Sequence, residues 1–150
     1  MTDVLFYHLQ RQPLEAVLPT LVEKSLERGW RVAIEVPDRE RLAALDDHLW
    51  TYREESFLPH GTQADADAAS QPVVLTSSPD NPNAAVVRFL IDGAALGVEA
   101  GAYDRIVVLF DGNDDEALAQ ARGQWRVARE QGYDVTYWQQ DEQGRWQKKA

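Results

Sequence analysis

The sequence predicts a single α/β domain over residues 1–150, with a largely parallel sheet flanked by helices. Three observations support this prediction. Short apolar segments alternate with amphipathic ones along the chain. A length of 150 residues matches one ordinary domain. A content of 44% apolar and 27% charged residues is typical of a chain that folds. No internal repeat or clear domain boundary interrupts the pattern.

The chain begins with a strand and an amphipathic helix. Residues 3–7 form a short apolar and aromatic segment bounded by polar residues, which is typical of a buried strand. Apolar residues then recur at spacings of three and four, with Pro13 at the expected first helical position and Gly29 where a C-terminal cap belongs. Pro19 interrupts this pattern, and we expect it to kink the helix or shift its start.

A second strand and a second helix follow, so the first part of the chain is predicted to be β-α-β-α. Residues 30–36 are rich in β-branched side chains, and Asp38 is a suitable N-cap for a helix over residues 39–49. Residues 50–61 are irregular and aromatic, which argues against a helix there. Residues 62–70 are mainly Ala, Asp and small polar residues, and we expect a mobile surface loop without packing contacts.

Two further strands are predicted in the middle of the chain. Residues 72–76 and 86–91 are apolar and β-branched, and the Asp, Asn and Pro residues at 80–83 predict a turn between them. Residues 94–103 are rich in Gly and Ala, and we expect a loop or one distorted turn there.

The last third of the chain supplies the clearest strand and a long helix. Residues 105–110 are almost wholly apolar, and Asp114 caps a helix that ends at Gly132 in the C′ position. Residues 135–138 predict a last strand. The turn residues at 141–144 are expected to lead the chain back on itself.

The loop between the first strand and the first helix lacks the glycines that bind phosphate. Doubly wound α/β proteins hold nucleotide phosphates at this loop, but residues 8–12 contain no glycine. Neither G-x-G-x-x-G nor G-x-x-x-x-G-K-[ST] occurs in the chain. The sequence therefore predicts a Rossmann-like domain without a nucleotide-binding loop and without a cofactor.

The residue types that carry most enzyme chemistry are scarce and poorly spaced. The chain has no cysteine and three histidines, none of them in a His-x-His or His-x-x-x-His pair. No serine lies in a nucleophile elbow. Neighbouring carboxylates at 114–116 are explained by their position at a helix start. We therefore expect no metal site, no catalytic residue and no enzymatic activity.

The distinctive chemical feature is a basic stripe on the last predicted helix. Arg122, Arg126 and Arg129 are spaced by four and three residues, so they lie within about 60° on one helix face. Trp125 belongs to the adjoining apolar sector, so the stripe borders the buried face. Such a stripe either solvates the helix or binds an acidic ligand. In a chain of net charge −10, it favours an acidic peptide over a nucleic-acid backbone.

Three segments of the sequence resemble the chi subunit of bacterial DNA polymerase III. They are Phe6-Tyr7, residues 49–61 and residues 121–133. The second segment contains the pattern LW-x₅-SF-x-PH, which is the most specific part of the resemblance. The similarity extends over nearly the whole chain, in the same order.

The resemblance implies a single chi-like domain over residues 1–150 that acts as a non-catalytic accessory subunit of the clamp-loader complex. It implies two partners. One is the psi subunit, in a 1:1 heterodimer, and we expect its interface at an exposed apolar patch away from the arginine helix. The other is the acidic C-terminal tail of single-stranded-DNA-binding protein, which ends in phenylalanine.

The resemblance also implies which residues bind this tail. Basic residues of the late helix correspond to Arg122 and Arg126, and aromatic residues correspond to Trp50 and Phe57. We hypothesise that Arg126 binds the terminal carboxylate or an acidic side chain, with Arg122 as a supporting charge. Trp50 and Phe57 are expected to form the wall of an apolar pocket for the phenylalanine. Two further candidates are Trp125 and Arg129.

Two other functions stay open on the sequence alone. One is a nucleotide-dependent enzyme on the same α/β domain, against which the missing glycine loop argues. The other is direct binding of single-stranded DNA through Trp50, Phe57 and the arginines, against which the overall acidity argues. Residues 1–9 lack a long apolar run, so we expect neither a signal peptide nor a membrane span, and a cytoplasmic location.

Overall fold

The structure is a computed structural model that describes residues 2–51, 59–97 and 100–150, and these form one α/β domain with an eight-stranded sheet. The strands are β1 (Asp3–Leu9), β2 (Val32–Glu35), β3 (Gly61–Thr62), β4 (Val73–Thr76), β5 (Val87–Ile91), β6 (Arg105–Asp111), β7 (Asp134–Gln140) and β8 (Trp146–Lys148). The helices are α1 (Leu14–Glu27), α2 (Arg39–Thr51) and α3 (Asp115–Glu130), and short 3₁₀ turns lie at Ala68–Ser70 and Ala100–Ala102. The predicted fold class is confirmed.

The sheet is parallel except at one edge. Its order is β3-β4-β2-β5-β6-β1-β7-β8, and β8 runs antiparallel to β7 after the predicted turn at 141–144. The chain crosses towards β3 through α1 and α2, and towards β8 through α3. Crossovers between parallel strands are right-handed. Helices whose crossovers run in opposite directions along the sheet therefore lie on opposite faces of it. We name these the α1 face, covered by α1 and α2, and the α3 face, covered by α3.

Each face of the sheet has its own apolar core. On the α1 face, buried side chains of the helices pack on the strands, with Leu18 and Phe89 among the largest. On the α3 face, Phe6 packs beneath α3. Only small side chains of α3, Ala121 at 4% exposure and Ala128 at 0%, are fully buried against the sheet in the described residues. Small side chains let the helix lie close to the strands, so larger residues at the margin of α3 remain partly exposed.

A contact between α1 and α2 accommodates the proline inside α1. The helix begins at Leu14, so Pro13 is its N-cap rather than its first residue. Pro19 has no N–H to donate to the carbonyl of Glu15, four residues earlier. His48 Nε2 lies 2.7 Å from that carbonyl oxygen and donates to it instead. The carbonyl is therefore satisfied, and α1 continues past the proline.

The expectation of a loop without packing contacts over residues 62–70 is wrong. The Asp65 carboxylate accepts a hydrogen bond from the Thr62 N–H at 2.8 Å. The guanidinium of Arg31 donates to the carbonyl of Ala69 at 2.9 Å. Arg31 precedes Ala69 by 38 residues, so local composition gives no sign of this contact.

Three other findings concern the segments expected to be irregular. α2 continues to Thr51, and β3 is a short strand that the sequence did not predict. The 3₁₀ turn at Ala100–Ala102 matches the turn expected within residues 94–103. The irregular conformation expected for residues 52–58 lies outside the described residues.

Candidate functional site

The three arginines of the basic stripe lie together on the exposed side of α3. Arg122, Arg126 and Arg129 are all exposed. The start of α3 is fixed by Asp114, whose carboxylate accepts the N–H of Glu116 at 3.0 Å. None of the ion pairs among the described residues involves these three arginines. Their charges are therefore available to an acidic ligand.

Trp125 connects this basic stripe to the core of the α3 face. Its partly buried ring meets Phe6 edge-on, with 5.5 Å between ring centroids, and Tyr137 at 5.8 Å. The guanidinium carbon of Arg129 lies 5.9 Å from the centre of the Trp125 ring. Basic and aromatic groups thus adjoin on one helix. The α3 arginine surface is defined as Arg122, Trp125, Arg126 and Arg129.

Tyr137 of β7 lies beneath the α3 arginine surface. Its hydroxyl oxygen is 2.5 Å from Nδ1 of His8 on β1. Burial raises the pKa of Tyr137, and the positive charge of Arg122 opposes that rise. Burial also lowers the pKa of His8, against the negative charge of Asp111. No sequence motif points to Tyr137. Side chains alternate between the two faces of the sheet along β7, so Val135 and Tyr137 both face α3. This alternation is the one sequence pattern that could have predicted the position of Tyr137.

The structure does not bring Trp50 to the arginines. Trp50 lies near the end of α2, is 46% exposed, and has its ring centroid 4.2 Å from that of His60. Because α2 packs on the α1 face and α3 on the opposite face, the sheet separates Trp50 from Arg122 and Arg126. Phe57 lies outside the described residues. The described residues therefore do not form a single pocket that combines Trp50 with the arginines.

A second aromatic surface lies on the α1 face. Tyr7 of β1 stacks on Trp138 of β7 at 6.2 Å between ring centroids and meets Trp146 of β8 edge-on at 4.8 Å. All three rings are partly exposed. The main strand contacts of α1 and α2 are with β2, β4 and β6, so these rings lie beside the helices. We name Tyr7, Trp138 and Trp146 the β8 aromatic surface.

A cleft of about 650 Å³ opens at the carboxyl ends of β1, β5 and β6. Doubly wound proteins bind nucleotides at this position, but the loop after β1, residues 10–13, contains no glycine. Carboxylates outnumber guanidiniums among the described residues that line it. They are Glu15, Asp92, Asp111, Asp114 and Glu116, against Arg11 and Arg41. Arg41 is already paired with Glu15 and Asp92. The cleft is therefore a poor match for phosphate.

Two further features of the described residues bear on function. Within residues 2–51, 59–97 and 100–150, no group of three or more His, Cys, Asp or Glu side chains is placed to hold a metal ion. None of the helices in this part of the chain combines the length and apolar character needed to cross a bilayer.

Fold and site together define a class: a Rossmann-like α/β domain that lacks a phosphate-binding loop and carries an exposed basic helix surface beside aromatic side chains. Comparison with known families then gives the particular identity. The profile of the family described as DNA polymerase III chi subunit, HolC, matches residues 1–136. The chain belongs to this family, whose members are accessory subunits of DNA polymerase III, and this assignment places it in DNA replication.

Two relatives agree with this assignment. A protein of Pseudomonas aeruginosa named DNA polymerase III subunit chi is 28% identical over 137 residues, which cover 89% of this chain and 93% of the relative. A protein of Rickettsia prowazekii named probable DNA polymerase III subunit chi is 31% identical over 91 residues. That match covers 61% of this chain and 55% of the relative, so the chain spans about half the length of the Rickettsia protein.

Proposed function

We propose that this accessory subunit links the clamp-loader complex to single-stranded-DNA-binding protein by docking that protein's acidic C-terminal tail. The observation that carries the proposal is the α3 arginine surface. Its three exposed guanidiniums have no ion-pair partner among the described residues and lie beside the partly buried Trp125. A peptide with several carboxylates and a terminal phenylalanine has the complementary charge and shape.

The overall charge favours a peptide over nucleic acid as the ligand. The chain has 25 acidic and 15 basic residues, so its long-range field repels an extended phosphate backbone. The arginines extend over about two turns of α3, which suits a short tail better than a duplex. Each charged hydrogen bond between guanidinium and carboxylate contributes about 1.5–3 kcal/mol.

The residues of the α3 arginine surface have separate roles in this proposal. Arg122 and Arg126 bind carboxylates of the tail, and Arg129 adds positive charge beside Trp125. The Trp125 ring provides apolar contact for the terminal phenylalanine. Trp125 takes the place expected for Trp50, because the sheet separates Trp50 from the arginines.

Weak docking of single tails suffices for such a link. A tail bound with a dissociation constant on the order of 1 μM corresponds to about −8 kcal/mol. Several tails close together, with the clamp and DNA bound at the same time, raise the effective concentration of each contact. The complex is therefore retained although each contact exchanges rapidly. The location proposed for this assembly is the cytoplasm.

Calorimetric titration with a short acidic peptide ending in phenylalanine tests the proposal. We expect a dissociation constant on the order of 1 μM at low salt and a loss of measurable binding when the phenylalanine is removed from the peptide. Trp50→Ala is expected to bind the peptide as the unaltered protein does, because Trp50 lies on the other face of the sheet.

Two results of this titration contradict the proposal. One is no binding of the peptide at low salt. The other is that a single-stranded oligonucleotide of matched charge binds more tightly than the peptide, which favours direct binding of DNA. If Trp50→Ala loses peptide binding, the binding site for the tail lies at the end of α2 instead of on the α3 arginine surface.

We further propose that the psi subunit binds the β8 aromatic surface. Tyr7, Trp138 and Trp146 form a partly exposed apolar area on the face opposite to α3, so both partners have room to bind together. Trp146→Glu is expected to abolish co-elution with psi in size-exclusion chromatography, because it places a charge within an apolar contact.

Gln147→Glu provides the matched control for Trp146→Glu. It introduces the same side chain one residue further along β8, where the strand presents the opposite face of the sheet. We expect Gln147→Glu to co-elute with psi in equal amounts. Retained co-elution of Trp146→Glu contradicts the location of the interface.

A further inference from the structure

Tyr137 lies beside Trp125 with its hydroxyl group directed at His8. The distance from its hydroxyl oxygen to His8 Nδ1 is 2.5 Å. The ring contacts Trp125 and Phe110, with centroid distances of 5.8 and 6.1 Å. Tyr137 is partly exposed, and Arg122 lies one helical turn before Trp125 on α3. In the described part of the chain, His8 is the hydrogen-bond partner of this hydroxyl.

The surroundings of His8 determine which atom donates in this hydrogen bond. His8 Nε2 is buried and has no hydrogen-bond partner among the described residues. It packs against Gly112, where a Cβ atom would overlap it. A buried N–H without an acceptor is rarer in proteins than an unused acceptor. We assign the proton of the neutral ring to Nδ1, and the Gln139 amide group, 3.4 Å away, then turns its oxygen rather than its nitrogen to Nδ1–H.

The hydroxyl of Tyr137 consequently keeps its own hydrogen. Nδ1–H of His8 donates to the phenol oxygen, so the phenol hydrogen is directed away from His8. Its acceptor must come from outside this pair. An anion bound by Arg122 supplies one, because Arg122 lies one helical turn before Trp125, whose ring contacts Tyr137.

We infer that Tyr137 and Arg122 together bind the terminal carboxylate of the docked tail. Tyr137 donates to one carboxylate oxygen and Arg122 to the other. Trp125 contacts the phenylalanine ring that carries this carboxylate, and Arg126 binds an acidic side chain further up the tail. The inference rests on the proposed function and adds a residue of β7 that recognises the end of the peptide.

The test is a titration of two peptides against the unaltered protein and Tyr137→Phe. The peptides are the same acidic sequence ending in phenylalanine, one with a free terminal carboxylate and one with a terminal amide. We expect the unaltered protein to prefer the free acid by more than about tenfold. Tyr137→Phe is expected to bind the acid about tenfold more weakly and the amide within about twofold. The preference for the acid therefore shrinks.

Tyr133→Phe is the matched control, because it removes the hydroxyl of a partly exposed tyrosine that lies beside Gly101, past the end of α3. We expect it to change neither peptide's affinity. His8→Leu removes the group that orients the Tyr137 hydroxyl and is also expected to reduce the preference for the acid. This second variant supplies the same readout if Tyr137→Phe does not fold.

The outcomes separate this inference from the proposed function. If the unaltered protein does not bind the acid peptide, both are overturned. If it binds and Tyr137→Phe keeps the full preference for the acid, the inference alone is overturned. Equal weakening towards acid and amide in Tyr137→Phe shows a general structural effect and also overturns the inference.

Discussion

Replacing Arg126 with glutamate is expected to abolish tail binding and leave the fold intact. The substitution removes a charged hydrogen bond of about 1.5–3 kcal/mol and places a carboxylate opposite an acidic peptide. We expect the affinity to fall at least about a hundredfold. Because the side chain is exposed, the unfolding temperature is expected to stay close to that of the unaltered protein. Arg122→Glu is expected to behave in the same way, and calorimetric titration measures both.

Arg28→Glu is the matched control for these charge reversals. It changes the net charge equally, but Arg28 caps the end of α1 and its guanidinium lies 5.0 Å from the centre of the Trp30 ring. Binding that is kept in Arg28→Glu and lost in Arg126→Glu indicates a local contact rather than long-range repulsion. Added salt is expected to weaken binding by the unaltered protein. If Arg126→Glu and Arg122→Glu both bind the peptide as the unaltered protein does, the tail does not bind at the α3 arginine surface.

The ends of α3 show why much of the fold is predictable from local sequence. Asp114 before the helix and Gly132 after it mark both boundaries in the sequence. In the structure, the Asp114 carboxylate accepts the N–H groups of Glu116 and Ala117, and Gly132 has φ of +82°. Each signal depends only on neighbouring residues. A left-handed φ favours glycine wherever it occurs, so such signals are readable without knowledge of the tertiary contacts.

The positions of Trp50 and Arg126 show what the order of the chain leaves undetermined. Both residues lie on predicted helices, but the face that a helix covers depends on the direction in which its crossover runs. α2 leads to the β3 edge and α3 towards the β8 edge, so they lie on opposite faces. Without the strand order, the sequence does not reveal this separation.

Contacts between distant residues account for most of what the sequence did not predict. Tyr137 and His8 are 129 residues apart and meet because β1 and β7 are neighbours in the sheet. Arg31 similarly orders the loop that contains Ala69. No local sequence motif indicates contacts between side chains that are distant in the chain. Such contacts can be predicted only when the order and register of the strands are known.

Replacing Glu35 with alanine is expected to lower the free energy of unfolding by about 3–5 kcal/mol, since it leaves a buried charge unpaired. Arg88 is 3% exposed and Glu35 8%. One carboxylate oxygen of Glu35 accepts from Arg88 Nε at 3.1 Å and from Nη2 at 2.7 Å. The guanidinium also donates to the carbonyls of Ser78 and Asp80 and to the Tyr103 hydroxyl. These contacts hold Arg88 in place when the carboxylate is removed. Chemical denaturation measures the effect.

Arg41→Ala is the control for an exposed ion pair. Arg41 binds the carboxylates of Glu15 and Asp92, but its side chain is 31% exposed, so we expect a loss of at most about 1 kcal/mol. Replacing both Glu35 and Arg88 with apolar residues is expected to cost less than Glu35→Ala, because no buried charge is left unpaired.

The location of the Glu35–Arg88 pair makes this prediction independent of tail binding. α3 makes its main contacts with β1, β6 and β7, whereas Glu35 and Arg88 lie on β2 and β5. Glu35→Ala therefore destabilises the domain without altering the α3 arginine surface, and the folded protein is expected to bind the acidic peptide with unchanged affinity. If Glu35→Ala lowers the free energy of unfolding by less than about 1 kcal/mol, the prediction is contradicted, because so small a loss is expected of a solvent-exposed ion pair.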